Sequence, residues 1–294
     1  MKKVIFAMPG NELLARGIIK NLKATEGKFN ARKFPDGESY IRILGSVKNK
    51  HTVIVCTLAH PDELFLPLFF LAREIRNQGA KRITLISPYL SYMRQDKAFH
   101  PGEAITSGYF AELISSISDQ IITIDPHLHR RKSMNEIYTV KTSVLHAAPF
   151  IAGYISKHIA NPVIIGPDSE SKQWIAEVAH LAKAPFVVMK KTRRGDKSVK
   201  IKSPELKKYK KYTPVLLDDI ISTGHTMIKT IILLKKAGMK APVCIGIHAV
   251  FSETAFKDLK KAGAKILLTC NTILHFTNRI DITQLITSNL EKND

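Results

Sequence analysis

Two adjacent carboxylates precede a loop rich in hydroxyl groups in the last third of the chain. Asp218 and Asp219 end an apolar run, and the loop then opens a helical stretch. The loop positions that could contact a ligand are Ser222, Thr223, Gly224, His225 and Thr226. Open backbone N–H groups at a helix start bind phosphate, and the carboxylates could reach sugar hydroxyls or a magnesium ion. A helix cap beside two solvated acids is the plainer interpretation, but acids paired with an anion-binding loop favour a phosphorylated sugar.

Two further strand ends carry single residues with the chemistry of a metal or phosphate site. His127 follows an apolar run in an Asp-Pro-His turn, and Asp168 follows another in a Gly-Pro-Asp turn. A histidine at a strand end is more often a structural residue, and an aspartate before a helix is commonly an N-cap. The residues alone leave both interpretations open.

An Arg-Gln pair and a Pro-Asp-Gly turn offer groups that could hold a nucleotide. Arg94 and Gln95 present a planar guanidinium and an amide, which suit phosphate oxygens and purine edges, although a basic surface loop would explain the charge. The segment 34–38 predicts a turn between two strand-like pieces. Phe34, near Asp36 and Glu38, could stack on a base, and a plain hairpin explains the segment equally well.

Much of the net charge of +20 lies in one basic segment. Residues 190–212 contain eleven Lys or Arg, among them Lys191 and Arg193. Such a surface suits nucleic acids, anionic surfaces or anionic substrates. Specific nucleic-acid binding is not expected, because the chain shows no recognition motif and no regularly placed aromatic residues.

Short apolar runs alternate with helical stretches along nearly the whole chain. Runs without polar alternation are typical of parallel strands buried on both faces. The predicted strands are 4–8, 52–57, 83–87, 120–124, 162–165, 186–189, 214–217, 243–249 and 265–269, and the predicted helices include 62–77, 103–117, 143–158 and 226–237. A helix end, a glycine, a lysine and a strand recur in this order at 79–81, 238–240 and 263–265. The pattern predicts an α/β fold of doubly wound units with mainly parallel sheets.

No low-complexity linker divides the chain, so the predicted boundaries are drawn where elements are sparsest. We expect an N-terminal domain at 1–142, a C-terminal domain at 143–280, and a helical tail at 281–294 that could pack back on the first domain. No apolar run is long enough to cross a bilayer, and no membrane partner is expected. Cys56, Cys244 and Cys270 lie apart in apolar runs, which indicates buried thiols and a cytoplasmic protein.

The segment 215–226 resembles the phosphoribosyl pyrophosphate-binding loop that type I phosphoribosyltransferases share with ribose-phosphate pyrophosphokinases. Alone, this loop does not separate the two families. The turn at 34–38, the Arg-Gln pair, the Asp-Pro-His and Gly-Pro-Asp turns and the basic segment follow in the order found in the pyrophosphokinases. The resemblance covers essentially the whole chain and is closer to archaeal-type and other short members than to the longer bacterial enzyme.

This resemblance implies two phosphoribosyltransferase-like domains with the active site between them, and it implies a role for each segment. The residues implied to bind ATP are Phe34, Asp36, Gly37, Glu38, Arg94 and Gln95. Those implied to bind ribose 5-phosphate are Asp218, Asp219, Ser222, Thr223, Gly224, His225 and Thr226. The implied metal-site residues are His127 and Asp168, with His129 a weaker candidate. The implied catalytic residues are Lys191 and Arg193, in a loop that closes over the transferred group.

The implied reaction moves the diphosphoryl group of Mg²⁺-bound ATP to O1 of ribose 5-phosphate, giving phosphoribosyl pyrophosphate and AMP. Mg²⁺ is the implied cofactor. A homo-oligomer is implied as well, in which the 34–38 loop completes the ATP site of a neighbouring subunit. A phosphoribosyltransferase and a catalytically silent regulatory homologue are the alternatives. The ATP segments count against the first, and the presence of the catalytic and metal residues counts against the second.

Two positions depart from the usual pattern of the phosphate loop. Ser222 stands where many members have Asp, a change also found in archaeal-type relatives. His225 stands where the loop usually has a small residue, so its side chain could crowd the 5-phosphate or bring a positive charge to it.

Overall fold

The chain divides into two compact units. A computed structural model describes residues 2–128, 130–168, 171–194, 198–202 and 206–292. One unit consists of Met1–Leu145 with Thr283–Asp294, and the other consists of His146–Ile282. Each unit has its own large sheet.

Seven strands form the sheet of the first unit. They are β1 (Lys3–Ala7), β2 (Thr25–Lys33), β3 (Ser39–Leu44), β4 (His51–Val55), β5 (Arg82–Ser87), β6 (Gln120–Ile124) and β7 (Lys141–Leu145). Their order is β3-β2-β1-β4-β5-β6-β7. All neighbours are parallel except β2 and β3, which form an antiparallel hairpin. β1, β4, β5 and β6 are almost entirely buried, as is typical of parallel sheets covered by helices.

Three helices connect the strands of this unit: α1 (Glu12–Leu22), α2 (Pro61–Asn77) and α3 (Thr106–Ser115). α2 links β4 to β5, and α3 links β5 to β6. These two helices pack side by side, since the rings of Phe65 and Phe110 lie 5.5 Å apart. Leu68, Leu71 and Ile114 turn inward and join the core above the sheet.

The second unit begins with α4 (Ala148–His158), β8 (Pro162–Gly166), α5 (Lys172–Leu181) and β9 (Phe186–Val188). A separate antiparallel pair follows, β10 (Lys190–Arg194) and β11 (Ser198–Lys202). The remaining elements are β12 (Thr213–Ile220), α6 (His225–Lys236), β13 (Val243–His248), α7 (Ala255–Ala262), β14 (Ile266–Cys270) and β15 (Asn278–Ile280). Its six-stranded sheet, β15-β14-β13-β12-β8-β9, is parallel throughout.

The last helix, α8 (Thr283–Lys292), returns to the first unit. It packs on α1, where a Cβ atom at Gly17 would lie only 2.9 Å from Thr283 Cγ2. Asn21 Nδ2 also donates a hydrogen bond to Gln284 Oε1 at 3.4 Å. Ile286 and Leu290 are buried. The close approach of the two helices therefore relies on a glycine at position 17.

The start of the predicted helix 143–158 is wrong. Residues 141–145 form β7, which pairs with β6 over its whole length, and α4 begins only at Ala148. Pro149 fits the first turn of α4, where a missing N–H costs nothing. A domain boundary at 142/143 would cut β7, and the two units instead divide after Leu145. The segment that rejoins the first unit starts at Thr283, two residues after the predicted start of the tail.

The predicted fold class is confirmed, since both units are α/β with mainly parallel sheets. All three cysteines are buried and free of disulfides, as predicted. Within the described residues, no helix combines the length and the apolar character that a membrane crossing requires.

Candidate functional site

In the second unit, the predicted sugar-phosphate residues lie at the carboxyl edge of neighbouring strands. β8 and β12 are parallel partners, with Ile165 opposite Leu216. Asp168 follows β8, and Asp218 and Asp219 lie near the end of β12. Because the carboxyl ends of parallel strands meet at one edge, the three carboxylates come close enough to interact. The charge of Asp168 indeed contributes to the pKa of Asp218.

The surroundings of Asp218 disfavour the ionised form of its carboxyl group. Burial raises its pKa well above the ordinary aspartate value, and the negative charges of Asp219 and Asp168 raise it further. Its Oδ1 accepts a hydrogen bond from the Asp219 N–H at 3.2 Å. Asp219 Oδ1 accepts another from the Ile220 N–H at 2.8 Å. The backbone therefore fixes both carboxylates at the mouth of the loop.

The loop after β12 ends in an open helix start. The Ile221 N–H donates to His248 O at 3.1 Å, and the Ser252 N–H donates to Ser222 O at 3.3 Å, so the end of β13 and the segment that follows it support the loop. Gly224 adopts a left-handed φ of +70° and precedes α6. No described side chain caps this helix. Its first N–H groups are therefore directed at whatever occupies the loop.

Gly224 is also confined sterically. A Cβ atom there would lie 3.0 Å from Leu259 Cδ1 of α7, in addition to the strain of a left-handed backbone. Thr223 and His225 are exposed beside it, and Ser222 and Thr226 are partly exposed. All predicted phosphate-loop residues thus surround one accessible helix start.

In the first unit, the predicted nucleotide residues also leave adjacent strands. β5 and β6 are parallel partners. Arg94 and Gln95 follow β5, and His127 follows β6. A hydrogen bond from the Ile124 N–H to Pro88 O at 3.3 Å joins the end of β6 to the connection after β5. The carboxyl edge of this sheet therefore carries a guanidinium, an amide and an imidazole.

Glu103 organises the connection that carries Gln95. Its Oε2 accepts hydrogen bonds from the Phe99 N–H at 2.6 Å, the His100 N–H at 3.1 Å and Gln95 Nε2 at 3.3 Å. The two backbone donors, chiefly that of Phe99, lower the pKa of Glu103. Gln95 Nε2 donates to Lys97 O as well, at 3.1 Å. Nothing in the sequence marks Glu103 for this role, because its partners lie three to eight residues away in a segment without periodicity.

Two non-glycine residues with left-handed backbones precede the proposed nucleotide residues. Tyr92 has φ +58° and lies two residues before Arg94, and Asp125 has φ +36° and lies two residues before His127. Tyr92 donates a hydrogen bond from its hydroxyl to Asp62 and packs on Phe110 with ring centroids 4.7 Å apart. Strained backbones persist where the surroundings impose them, and they concentrate at functional sites.

The segment 34–38 forms the predicted turn of the hairpin between β2 and β3. The Phe34 N–H donates to Glu38 O at 2.8 Å, and the Glu38 N–H donates to Asp36 Oδ1 at 3.1 Å. The Arg32 guanidinium lies 4.5 Å from the ring centroids of both Phe34 and Tyr40. Phe34 nevertheless stays 38% exposed, so the turn offers a supported aromatic ring to solvent.

Lys191 and Arg193 lie in β10, at positions paired with Ile201 and Val199 of β11. His129 and part of the predicted basic loop, including Gly195 and Asp196, lie outside the described residues. No three His, Cys, Asp or Glu within the described ranges are grouped as a ready metal site. The predicted metal residues His127 and Asp168 belong to different units.

Comparisons with known proteins cover nearly the whole chain. Residues 3–117 match the family model described as the N-terminal domain of ribose phosphate pyrophosphokinase, and residues 133–283 match the phosphoribosyl transferase domain. The ribose-phosphate pyrophosphokinase of Saccharolobus solfataricus is 33% identical over 84% of each chain. That of Methanobrevibacter smithii is 30% identical over 87% of this chain and 89% of its own.

A solved structure shows the same architecture from end to end. The phosphoribosylpyrophosphate synthetase of Mycobacterium smegmatis superposes with a TM-score of 0.86 over 100% of both chains, at 25% sequence identity.

Proposed function

This chain belongs to the ribose-phosphate pyrophosphokinase family, and from that premise we propose that it makes phosphoribosyl pyrophosphate. It transfers the diphosphoryl group of Mg²⁺-bound ATP to O1 of ribose 5-phosphate and releases AMP. The observation that carries the proposal is the phosphate loop at the end of β12. There, two fixed carboxylates stand beside an uncapped helix start, in a chain that also has the family's N-terminal domain.

Ribose 5-phosphate binds at this loop. Its phosphate accepts hydrogen bonds from the first N–H groups of α6 and from the hydroxyls of Ser222, Thr223 and Thr226. Asp218 and Asp219 accept hydrogen bonds from the ribose hydroxyls. The hydrogen bonds from the backbone that fix both carboxyl groups beside the loop support this role.

ATP binds through residues of the first unit. Arg94 provides a planar cation for the phosphates and Gln95 an amide for the nucleotide. The 34–38 turn of a neighbouring subunit contributes the Phe34 ring to the adenine, with Asp36, Gly37 and Glu38 around it. The exposure of Phe34 supports this arrangement, since Arg32 holds the ring in place without covering it.

Mg²⁺ fits the chemistry of the proposed residues. Carboxylate oxygens are the ligands that this hard cation prefers, and the mutual repulsion of Asp168, Asp218 and Asp219 is relieved by a divalent ion. Asp168 and His127 are proposed to hold it, His127 through a bound water or a phosphate. When bound, the ion neutralises phosphate charge.

The transfer is an in-line displacement at phosphorus. O1 of the sugar attacks the β-phosphorus, the bond from that phosphorus to the oxygen shared with the α-phosphate breaks, and AMP departs as the O1 proton is lost to solvent. Lys191 and Arg193 offer positive charge to the transferred group. Phosphoryl transfer depends mainly on positioning and charge neutralisation, and one such contact is worth on the order of 100-fold or more in rate.

One assay tests the proposal. The protein is incubated with ribose 5-phosphate, ATP and Mg²⁺, and the products are followed by ³¹P NMR. We expect AMP and phosphoribosyl pyrophosphate in equal amounts, and neither when ribose 5-phosphate or Mg²⁺ is omitted. A chain that forms no AMP under these conditions, or that consumes phosphoribosyl pyrophosphate with a free purine or pyrimidine base, is not a pyrophosphokinase.

A further inference from the structure

An ion pair joins two connections at the carboxyl edge of the first sheet. Arg130 Nη1 donates a hydrogen bond to Asp96 Oδ1 at 2.8 Å. Asp96 lies one residue after Gln95 on the connection from β5 to α3, and Arg130 lies three residues after His127 on the connection from β6 to β7. The pair therefore links the segment that holds the proposed nucleotide residues to the segment that holds a proposed metal residue.

The carboxylate of Asp96 is buried, although it lies in a connection and not in a strand or helix. Its side chain is 3% exposed, whereas that of Arg130 is 47% exposed. A buried carboxylate needs a cation or several hydrogen bonds to compensate for its lost hydration. The Arg76–Asp119 ion pair of the same unit differs, since its side chains are 39% and 42% exposed. The carboxylate of Asp96, unlike that of Asp119, thus belongs to the interior of the unit.

The residue after Arg130 forms a second link between the same connections. Arg131 Nη2 donates to Ser107 Oγ at 3.3 Å, and the Ser107 N–H donates to Gln95 O at 3.3 Å. Ser107 is buried in the first turn of α3. Two successive arginines therefore act on neighbouring residues, Arg130 on the side chain of Asp96 and Arg131, through Ser107, on the backbone of Gln95.

Arg130 also lies close to an aromatic ring of the nucleotide connection. Its Cζ is 5.4 Å from the centroid of the Phe99 ring, and Lys97 Nζ is 5.1 Å from the same centroid. A cation over a ring face is attracted to it. The Phe99 N–H donates to Glu103 Oε2 at 2.6 Å, which fixes the backbone that carries the ring. Arg130 thus contacts this connection on both sides of Lys97, at Asp96 and at Phe99.

We propose that Asp96 and Arg130 are a positioning pair for ATP. The inference rests on the proposed function, because it assumes that Arg94 and Gln95 contact the nucleotide. Asp96 is buried and its carboxylate engages the Arg130 guanidinium, so the pair acts through its neighbours and not by contact with ATP. It fixes the spacing between the connection that carries Arg94 and Gln95 and the connection that carries His127. Groups that are already in place bind a ligand more tightly, because less conformational freedom is lost on binding.

The affinity for ATP tests this role. Binding of ATP with Mg²⁺ is measured by isothermal titration calorimetry without ribose 5-phosphate, so that no transfer takes place. We expect Asp96→Asn and Arg130→Gln each to raise the Kd for ATP by at least about 10-fold, the value of one charge-assisted hydrogen bond in an equilibrium. The double variant removes both charges of the pair. It should bind ATP no more weakly than either single variant, because the two residues act as one unit.

A direct contact between Arg130 and ATP predicts a different pattern. Asp96→Asn would then free the guanidinium and leave the Kd for ATP equal or lower, whereas Arg130→Gln alone would raise it. That pattern, or single variants with the Kd of the parent, overturns the proposal. The matched control is Arg76→Gln, which breaks an ion pair at the opposite end of β6, where Asp119 precedes the strand. It should leave the Kd for ATP unchanged.

A loss of fold in the variants is recognised from the other substrate. Ribose 5-phosphate is proposed to bind in the second unit, so its KM should stay at the value of the parent in every variant that turns over. Circular dichroism and the Tm show whether each variant is folded. If a single variant unfolds because a buried charge has lost its partner, the double variant, which has no such charge at either position, gives the Kd for ATP instead.

Hydrogen–deuterium exchange of the free protein separates this inference from the proposed function. The Ser107 N–H and the Phe99 N–H should exchange faster in Arg130→Gln than in the parent, because the connection they hold is less ordered. Their exchange should be unchanged in Arg76→Gln. A parent that binds no ATP refutes the proposed function, and faster exchange in Arg130→Gln would still show that the pair orders the connection. Exchange at the rate of the parent in Arg130→Gln overturns the positioning role even in an active enzyme.

Discussion

The carboxyl group of Asp218 shows how a residue proposed to bind the substrate can oppose the stability of its own fold. Burial and two neighbouring carboxylates raise its pKa, so the folded chain binds this proton more tightly than the unfolded chain does. The stabilisation that this group contributes is complete below the ordinary aspartate pKa and is lost as the pH rises through the raised value. At neutral pH, where this stabilisation is lost, the crowding of the carboxyl group is a cost to folding that a bound ligand and metal ion can offset.

Asp218→Asn should stabilise the free protein at pH 7 and weaken its activity. The amide removes the charge, and its oxygen can still accept the hydrogen bond from the Asp219 N–H. We expect the Tm to rise by a few degrees, since 1 kcal/mol shifts the Tm of a domain of this size by roughly 2–4 °C. The gain should shrink as the pH falls toward the ordinary aspartate range, where the parent is protonated as well.

Thermal denaturation between acidic and neutral pH checks this expectation. Glu253→Gln is the matched control, because Glu253 is an exposed acid of the same unit and its loss should leave the Tm nearly unchanged. An Asp218→Asn variant less stable than the parent at pH 7 would show that the carboxylate is stabilised, not crowded, in the free protein.

His225 gives the opposite case, a residue whose unusual identity should matter little. The structure leaves its side chain exposed at the start of α6, whereas the phosphate is expected at the N–H groups of the same turn. His225→Ala should therefore change the KM for ribose 5-phosphate by less than about 2-fold, whereas loss of a charged hydrogen bond costs about 1.5–3 kcal/mol, or at least 10-fold. Steady-state kinetics at two pH values distinguishes a His225 that does not contact the phosphate from one that donates a hydrogen bond to it. Thr226→Ala serves as a comparison within the phosphate loop.

At the scale of elements, the bounds of the apolar strands could be predicted from sequence, whereas those of the polar strands could not. β4, β5, β6 and β13 are mainly apolar and buried, and strands are found where they were predicted, with ends that differ by at most two residues. β2, with the sequence TEGKFNARK, is largely exposed and alternates weakly. The turn at 34–38 indicates strand-like pieces on both sides, but not where β2 begins, because pairing with β3 near the sheet edge defines this strand more than its composition does.

The same limit applies to the candidate site. Residues at the ends of buried strands, such as Asp168 and Asp218, could be selected because strand ends in parallel sheets meet at one edge. Tyr92 and Glu103 could not be selected, since a left-handed tyrosine and an acceptor for three N–H donors are properties of a folded connection. The sequence therefore indicates the candidate ligand-binding groups more readily than the residues that position those groups.

One prediction concerns Lys191 of β10, which is proposed to act in the transfer step. Lys191→Ala should lower kcat by on the order of 100-fold or more while changing the KM of either substrate little, because its charge is needed mainly as the diphosphoryl group transfers. Lys211→Ala, in the same basic segment, is the control and should have normal kinetics. Equal effects of the two substitutions would mean that the segment acts only through its overall charge.

At the scale of the whole molecule, the chain begins and ends in the same unit. α8 packs on α1, and its Ile286 and Leu290 are buried, although the 137 residues of the second unit separate α8 from the rest of the first unit in sequence. The contact between α1 and α8 can therefore form only after the chain of the second unit has been synthesised, and the first unit depends on this contact. Loss of α8 should destabilise the first unit more than the second.

The buried cysteines can report on each unit separately. Burial raises the pKa of Cys56 in the first unit and of Cys244 in the second to about 12, so neither thiol is ionised near neutral pH. Because the thiolate is the reactive form, alkylation at these positions requires the surrounding unit to open. Cys270 is a second buried reporter in the second unit.

Deletion of residues 283–294 should therefore separate the labelling of the two units. In graded urea, pulses of iodoacetamide followed by peptide mass spectrometry should show Cys56 reacting at lower urea in the truncated chain than in the parent. Cys244 and Cys270 should react at nearly the same urea in both. Leu290→Ala should also lower the urea concentration at which Cys56 reacts, since a buried Leu→Ala substitution costs about 2–5 kcal/mol of stability. Glu291→Ala, at an exposed position of the same helix, should leave that concentration unchanged. If truncation moved all three thiols together, the two units would unfold as one, and α8 would stabilise the whole chain and not the first unit alone.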